Sequence, residues 1–305
     1  MMVIMVMTMY HDPVLLQESV DGLAIKESGV YVDVTFGGGG HSKEILKRLG
    51  NEGKLFAFDQ DEDALENTID DGRFMLINEN FRYLKQFLKF YGIRKVDGIL
   101  ADFGVSSHQF DKAERGFSTR FDADLDMRMS QKNESSAFEV VNKYDYDSLR
   151  KVLFTYGDLR NANSLARAII EKRAETPIKT TEQLKEVLQR FLPKSKEHKI
   201  LAQIYQAIRI EVNQEIIAIE EFLSQTPDLL DAGGRLSAIS YHSLEDRLVK
   251  RFIRAGKFEG EPEKDFYGNI EVPFKKVGGL IVPAKDEIRT NNRARSAKLR
   301  IAERI

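Results

Sequence analysis

Apolar and polar positions alternate with two different periods along this chain. Val30, Val32 and Val34 stand on alternate positions and run into four consecutive glycines, Gly37 to Gly40. That order predicts a buried strand, a tight turn and a helix over 43–49 with Ser42 as its cap. The alternation then repeats. It predicts a strand over 54–59, a helix over 61–68, a strand over 74–78, a helix over 84–91 and a fourth strand over 96–102. Repeated β-α units imply a mostly parallel sheet with helices on both faces.

The pattern breaks after residue 108. Between 109 and 208 no segment alternates convincingly. Helical periodicity replaces it over 146–156, 163–172 and 181–191, and in one long helix over 199–223, with Pro177 and Pro193 as punctuation. Strand character returns over 230–240, followed by a helix over 244–254. Two last strands, 279–282 and 297–302, read as an antiparallel hairpin at the sheet edge. The expected fold class is α/β: a Rossmann-like sheet, mostly parallel with an antiparallel edge strand, plus an inserted all-helical domain. The expected domains are 1–108 with 209–305 for the sheet and 109–208 for the insertion.

Composition narrows the chemistry. The chain has 305 residues, 42% of them hydrophobic, which is enough for a sizeable core. Cysteine is absent. Disulfides, thiolate metal sites and a cysteine nucleophile are therefore excluded, and a reducing cytoplasm is the expected location. The five histidines are scattered without H-E-x-x-H spacing, so no metal site is expected. Net charge is −2, so any nucleic-acid contact must use local basic patches. The apolar start Met1 to Met7 is short and lacks a basic flank and a cleavage site, so no signal peptide is expected. No run is long enough for a membrane span.

The glycine turn selects among nucleotide ligands. Read from Gly37 or Gly38, the third glycine of a dinucleotide fingerprint falls on Ser42 or Lys43, and no Gly-Lys-Ser/Thr follows for a P-loop. Asp59, at the end of the second strand, is placed to accept hydrogen bonds from ribose hydroxyls. This combination points to S-adenosylmethionine, which has no pyrophosphate to cradle. Ligands of such sheets bind outside the carboxyl ends of the strands, where Gly37 to Gly40, Asp59, Asn80-Phe81 and Asp102 all fall. In Asp102-Phe-Gly-Val-Ser-Ser-His-Gln109, Asp102, Ser106 and Ser107 are candidate acceptors for the N–H groups of an amine on a base ring. In Ser240-Tyr-His-Ser-Leu-Glu-Asp-Arg247, Ser243 is the expected helix cap with Asp246 at the third helical position. Tyr241 is free either to stack on a base or to join the core. Basic residues gather at Arg247, Lys250, Arg251 and Arg254, at Arg289 to Arg300, and at Arg115, Arg120 and Arg128. These groups flank the site loops and suit phosphate.

Several segments together resemble the MraW/RsmH group of S-adenosylmethionine-dependent methyltransferases. They are His11-Asp-Pro-Val-Leu-Leu16, Thr35-Phe-Gly-Gly-Gly-Gly-His-Ser42, Asp97-Gly-Ile-Leu-Ala-Asp-Phe-Gly-Val-Ser-Ser107, Glu114-Arg-Gly-Phe-Ser118, Leu125-Asp-Met-Arg-Met129, Gln206-Ala-Ile-Arg-Ile-Glu-Val-Asn213, Gly233-Gly-Arg-Leu-Ser237, His242-Ser-Leu-Glu-Asp-Arg247 and Asn292-Arg-Ala-Arg-Ser-Ala-Lys-Leu-Arg300. The likeness spans nearly the whole chain in order. It departs at His108, where the family often has proline, and over 156–163. The resemblance implies a class I methyltransferase sheet and methyl transfer to the N4 amine of a cytosine in the decoding region of 16S ribosomal RNA, on the small ribosomal subunit. It implies donor contacts from Gly39, Gly40 and His41, Asp59 on the ribose, Phe81 beside the adenine, and Asp102 and Gln109 completing the pocket. It also implies a helical insertion that helps hold RNA. RNA contacts are then expected from Arg115, Arg128, Tyr241, His242, Arg247, Arg293 and Arg295. A missing cysteine agrees with N4 over C5 chemistry. Two other readings stay open: a non-catalytic, donor-binding factor that checks ribosome assembly, and a methyltransferase for DNA or protein. Oligomeric state is open, a homodimer included.

Overall fold

The computed structural model describes residues 13–260, 267 and 271–305. The apolar start Met1 to Met7, and His11 and Asp12 of the first motif, lie outside them. In chain order the elements are α1 (Leu16–Gly22), β1 (Val30–Asp33), α2 (Gly40–Arg48), β2 (Lys54–Phe58), β3 (Phe74–Ile77), α3 (Leu84–Phe90) and β4 (Val96–Asp102). The helices α4 (Ser107–Asp111), α5 (Ala137–Lys143), α6 (Tyr146–Gly157), α7 (Ala162–Glu175), α8 (Thr181–Leu188), α9 (Glu197–Asn213) and α10 (Glu215–Leu229) follow. Then come β5 (Leu230–Ser240), α11 (Ser243–Ala255), β6 (Phe274–Ile281), α12 (Lys285–Thr290) and β7 (Lys298–Arg304). The chain divides into two compact units, one up to residue 107 and from 218 onward, the other over 108–217.

The first unit is built on a seven-stranded sheet in the order β3-β2-β1-β4-β5-β7-β6. Pairing is parallel from β3 through to β5, and β7 runs antiparallel to both β5 and β6. Antiparallel pairing is thus confined to one side of the sheet, with β6 outermost. β6 and β7 pair as expected, but α12 and a short 3-10 turn join them instead of a tight loop. β6 also begins at Phe274, earlier than the expected 279.

Strand alternation explains why both faces are covered. Val32, Val34, Phe56, Phe58, Ile99 and Ala101 face Leu84 and Leu88 of α3, Phe222 of α10 and Phe252 of α11. Tyr31, Leu55 and Leu100, on the other face, pack with Val20 of α1 and Ile45 and Leu46 of α2. Successive strand residues point to opposite sides, so apolar residues on consecutive positions mean two buried faces. The expected helix over 61–68 is a 3-10 stretch, Glu62–Asn67, started by the Asp61 side chain accepting from Asp63 N. Helix α2 starts three residues earlier than expected: its cap is Gly39, in the left-handed region, and Ser42 is buried inside the first turn.

The second unit is helical. Helix α6 packs on α7 and α9, and α5 also packs on α9. The only extended pairing among its described residues is an isolated bridge between Asp124 and Thr180. The expected single helix over 199–223 is two helices, because Gln214 sits at φ 50 in the left-handed region and ends α9. Two sequence motifs meet there. Asn213 Oδ1 accepts from Met129 N at 2.7 Å, and Asn213 Nδ2 donates to Met127 O at 2.8 Å. Arg209 makes a forked pair with Glu215, at 2.7 and 2.9 Å, with both side chains nearly buried. Gly116 has φ 72, and a Cβ there would lie 2.5 Å from Asp124 O. The Glu114-Arg-Gly-Phe segment therefore needs its glycine for both conformation and space.

Candidate active site

Three carboxylates stand at the carboxyl ends of three adjacent strands. Asp33 ends β1, Asp59 follows β2 and Asp102 ends β4. The loop from 33 to 42 ties all three together. Thr35 N donates to Asp33 Oδ1 at 3.1 Å, and Ser42 Oγ donates to Asp33 Oδ2 at 2.7 Å. Thr35 Oγ1 accepts from Asp102 N at 2.6 Å. Gly37 N donates to Asp59 Oδ2 at 2.7 Å, and Asp61 N donates to Asp59 Oδ1 at 2.8 Å. The 3-10 stretch pins the turn from outside, with Asn67 Nδ2 donating to Gly37 O at 3.0 Å.

The glycines of the turn differ in what they do. Gly37 has φ 52, and a Cβ on it would meet nothing within 4 Å, so an incoming group can reach its backbone there. A Cβ on Gly39 would lie 2.9 Å from the Phe36 ring, and one on Gly40 would lie 2.0 Å from Pro13 Cγ. Packing alone therefore demands glycine at positions 39 and 40. His41 is buried, and its Nε2 lies 3.2 Å from Val14 O. A carbonyl only accepts, so Nε2 carries the proton and Nδ1 is bare in the neutral ring. Burial lowers the His41 pKa to about 4, which keeps the ring neutral. Nδ1 lies 3.9 Å from Asp102 Oδ2.

Burial also raises the carboxyls, Asp33 and Asp59 to about 6. Asp102 is pushed up to about 7 by burial, with the negative Asp33 and Glu245 adding to the effect and the hydrogen bond from Tyr241 opposing it. Its side chain keeps 22% of its surface exposed. Phe81 is half-buried at the end of β3. Its ring stands edge-on to Phe103 and Phe222, with centroids 6.0 and 5.5 Å away. Asn80 and Asn78 reach across to Gln60 Oε1 and Asp59 O at 2.7 and 3.0 Å, which locks the β2 and β3 ends together.

The segment after β5 supplies the remaining wall. Helix α11 is capped by His242 with Glu245 at the third helical position, one residue earlier than the expected Ser243 and Asp246. Glu245 is fully buried; its Oε2 accepts from Tyr241 N at 2.7 Å, and its Oε1 lies 2.9 Å from His242 Nε2. Tyr241 is half-buried and its hydroxyl donates to Asp102 Oδ1 at 2.8 Å. The ring lies against Gly104, whose added Cβ would meet it at 3.4 Å. Asp246 is held by Arg300 at 2.8 Å and Lys298 at 3.3 Å.

The structure places the other expected site residues as follows. Ser106 is half-buried, Ser107 opens α4, and Gln109 is buried in α4, within the helical unit. Arg115 is buried, and its Nη2 donates to the carbonyls of Arg128 and Met129 at 2.8 and 3.1 Å. Arg128 forks onto Asp126 at 2.8 and 3.0 Å and donates to Asn133 O. These two guanidiniums brace their own loop. Arg247 and Arg295 are exposed, and Arg293 is half-buried. Asp33, Thr35 and Glu245 escaped the sequence reading. An acid closing a strand just before a glycine turn is the signal that marks Asp33.

A parallel sheet with a glycine turn after β1, carboxylates on neighbouring strand ends and an antiparallel β7 is the class I methyltransferase architecture. The chain belongs to the MraW methylase family, whose model matches residues 8–305. It is 70% identical over 301 residues to the ribosomal RNA small subunit methyltransferase H of Christiangramia forsetii, covering 99% of this chain and 100% of the relative. The protein of that name from Flavobacterium johnsoniae is 69% identical over 296 residues, 97% of this chain and 98% of its own. The Parabacteroides distasonis protein of the same name is 52% identical over 298 residues, 97% and 98% of the two chains. No helix among the described residues is long and apolar enough to cross a membrane.

Proposed function

We propose that this chain transfers the methyl group of S-adenosylmethionine to the exocyclic N4 amine of a cytosine in the decoding region of 16S ribosomal RNA, with the small ribosomal subunit as its substrate in the cytoplasm. The family and the printed names of the relatives support methyl transfer to small-subunit RNA. The observation that carries the chemistry is the loop from 33 to 42, which links Asp59 and Asp102 through Gly37 and Thr35. One short segment thus joins a group suited to a ribose with a group suited to an amine.

The residues fit the donor. Asp59 offers acceptor oxygens for two ribose hydroxyls, Gly37 leaves its backbone open, and Phe81 gives an apolar surface for adenine. Asp33 and Asp102 put negative charge near a cationic ligand. Backbone at Gly39, Gly40 and His41 lines the turn, and Gln109 is a further expected donor contact. The bound donor supplies an electrophilic methyl carbon on a sulfonium.

Asp102 accepts an N–H of the target amine and turns the nitrogen lone pair towards that carbon. As the new N–C bond forms and the S–C bond breaks, the proton lost by N4 passes to Asp102. A carboxyl with a pKa of about 7 is ionised often enough at neutral pH to accept it and basic enough to keep it. Ser106 and Ser107 are further acceptors. Without cysteine, the covalent route to C5 is closed. The cytosine must be unpaired or turned out of its stack to reach the site. Tyr241, His242, Arg247, Arg293 and Arg295 contact the RNA, and the helical insertion has a role of its own in RNA binding. The active species is a monomer or a homodimer.

The test is transfer of a labelled methyl group to small subunits lacking the modification, with naked 16S RNA and DNA alongside. Label on N4 of a cytosine, in small-subunit RNA alone, is the expected result. Label on DNA or on protein overturns it. Donor binding without any transfer indicates a checking factor.

A further inference from the structure

We propose that Tyr241 is a positioning residue for methyl transfer: its hydroxyl engages Asp102 Oδ1 and thereby aims Oδ2 at the target amine. This rests on Asp102 being the proton acceptor. The two carboxylate oxygens have different surroundings. Oδ1 accepts the Tyr241 hydroxyl at 2.8 Å. Oδ2 faces the Nδ1 of His41 at 3.9 Å. That nitrogen has no proton to give, because the ring's proton is directed to Val14 O. So one oxygen is held by a donor, and the other meets a lone pair among the described residues and is left for an incoming N–H.

The tyrosine is itself held from behind. Glu245, fully buried, takes the backbone N–H of Tyr241 at 2.7 Å and of His242 at 3.3 Å. The ring lies beside Gly104, where an added Cβ would meet it at 3.4 Å, an ordinary contact distance. A hydroxyl fixed at both ends of its side chain restricts rotation of the carboxylate that it binds. It also stabilises the ionised form, since a hydrogen bond to a carboxylate favours charge. The groups facing Asp102 act in both directions. Asp33 from β1 and Glu245 from α11 disfavour its charge, His41 from α2 is neutral, and Tyr241 is the one donor to its side chain among the described residues.

The experiment is the pH dependence of single-turnover methyl transfer to small subunits by the wild type, Tyr241→Phe and Asp102→Asn. Donor affinity is measured for each. Tyr241→Phe keeps the ring beside Gly104 and removes only the hydroxyl. The expected result is a limb moved upward by about one pH unit, a rate at neutral pH about fivefold lower, and unchanged donor affinity. A limb at the wild-type position, or an equal loss at every pH, overturns the assignment. If Tyr241→Phe fails to bind the donor, site-specific 3-fluorotyrosine at 241 decides. A more acidic phenol must move the limb downward, and an unmoved limb overturns the proposal. Full turnover by Asp102→Asn defeats the underlying reading of Asp102 instead, whatever Tyr241→Phe does.

Discussion

Asp102, Asp33 and the glycines of the turn carry the sharpest consequences at the scale of single residues. If Asp102 takes the N4 proton, Asp102→Asn keeps the shape and loses the base. Its turnover at saturating donor should fall at least about a hundredfold, a larger factor than any loss of donor affinity from the missing charge. Radiolabel transfer and equilibrium binding together check this. The glycines separate ligand effects from fold effects. Gly40→Ala drives a methyl into Pro13 and should lower thermal stability. Gly37→Ala meets no atom, so its main effect should be weaker donor binding, apart from a left-handed backbone cost of roughly 1 kcal/mol. Calorimetry of each variant with and without donor distinguishes the two. Asp33 gives a pH prediction. Its folded pKa of about 6 lies above the usual carboxylate value, so its protonated form favours the fold. That contribution is full in acid and is lost as pH rises through 6. Asp33→Asn, which cannot ionise, should therefore gain stability relative to wild type between pH 5 and 8, a trend that melting curves across this range would show.

Elements explain which parts of the architecture could be read in advance. Strands β1, β2 and β4 are apolar on consecutive positions and end in glycine or an acid, so their type and direction were legible. The carboxyl ends of β1, β2 and β4 then located Gly37, Asp59 and Asp102 together. What escaped was set by contacts between distant segments. Gln214 breaks a run whose helical periodicity continues on either side, and only its φ of 50 shows the break. His242 caps α11 through a buried Glu245, a pairing hidden by the more usual cap residue Ser243 beside it. The carbonyl and Asp126 partners of Arg115 and Arg128 are likewise invisible in a charge pattern. Asn213 shows how such contacts can be tested. Asn213→Ala leaves the buried Met129 N–H and Met127 carbonyl without their partner, which should cost about 1–3 kcal/mol. Denaturant unfolding gives this value, and a change below about 0.5 kcal/mol would deny the motif its structural role.

For the whole molecule, charge and site must be reconciled. A net charge of −2 does not draw RNA from a distance, so attraction has to come from local groups such as Arg247 and Arg295. Arg247→Ala and Arg295→Ala together should raise the KM for the subunit and leave donor affinity unchanged. They should also flatten the salt dependence of RNA binding by roughly 0.7 for each phosphate no longer neutralised. An unchanged salt slope would place the RNA elsewhere. The most direct test of N4 methylation through Asp102 is nucleoside mass spectrometry of 16S RNA from cells lacking this gene, complemented with either wild type or Asp102→Asn. N4-methylated cytidine is expected to disappear on deletion, return with the wild type and stay absent with Asp102→Asn. N4-methylated cytidine that persists without the gene, or is restored in full by Asp102→Asn, would contradict that chemistry.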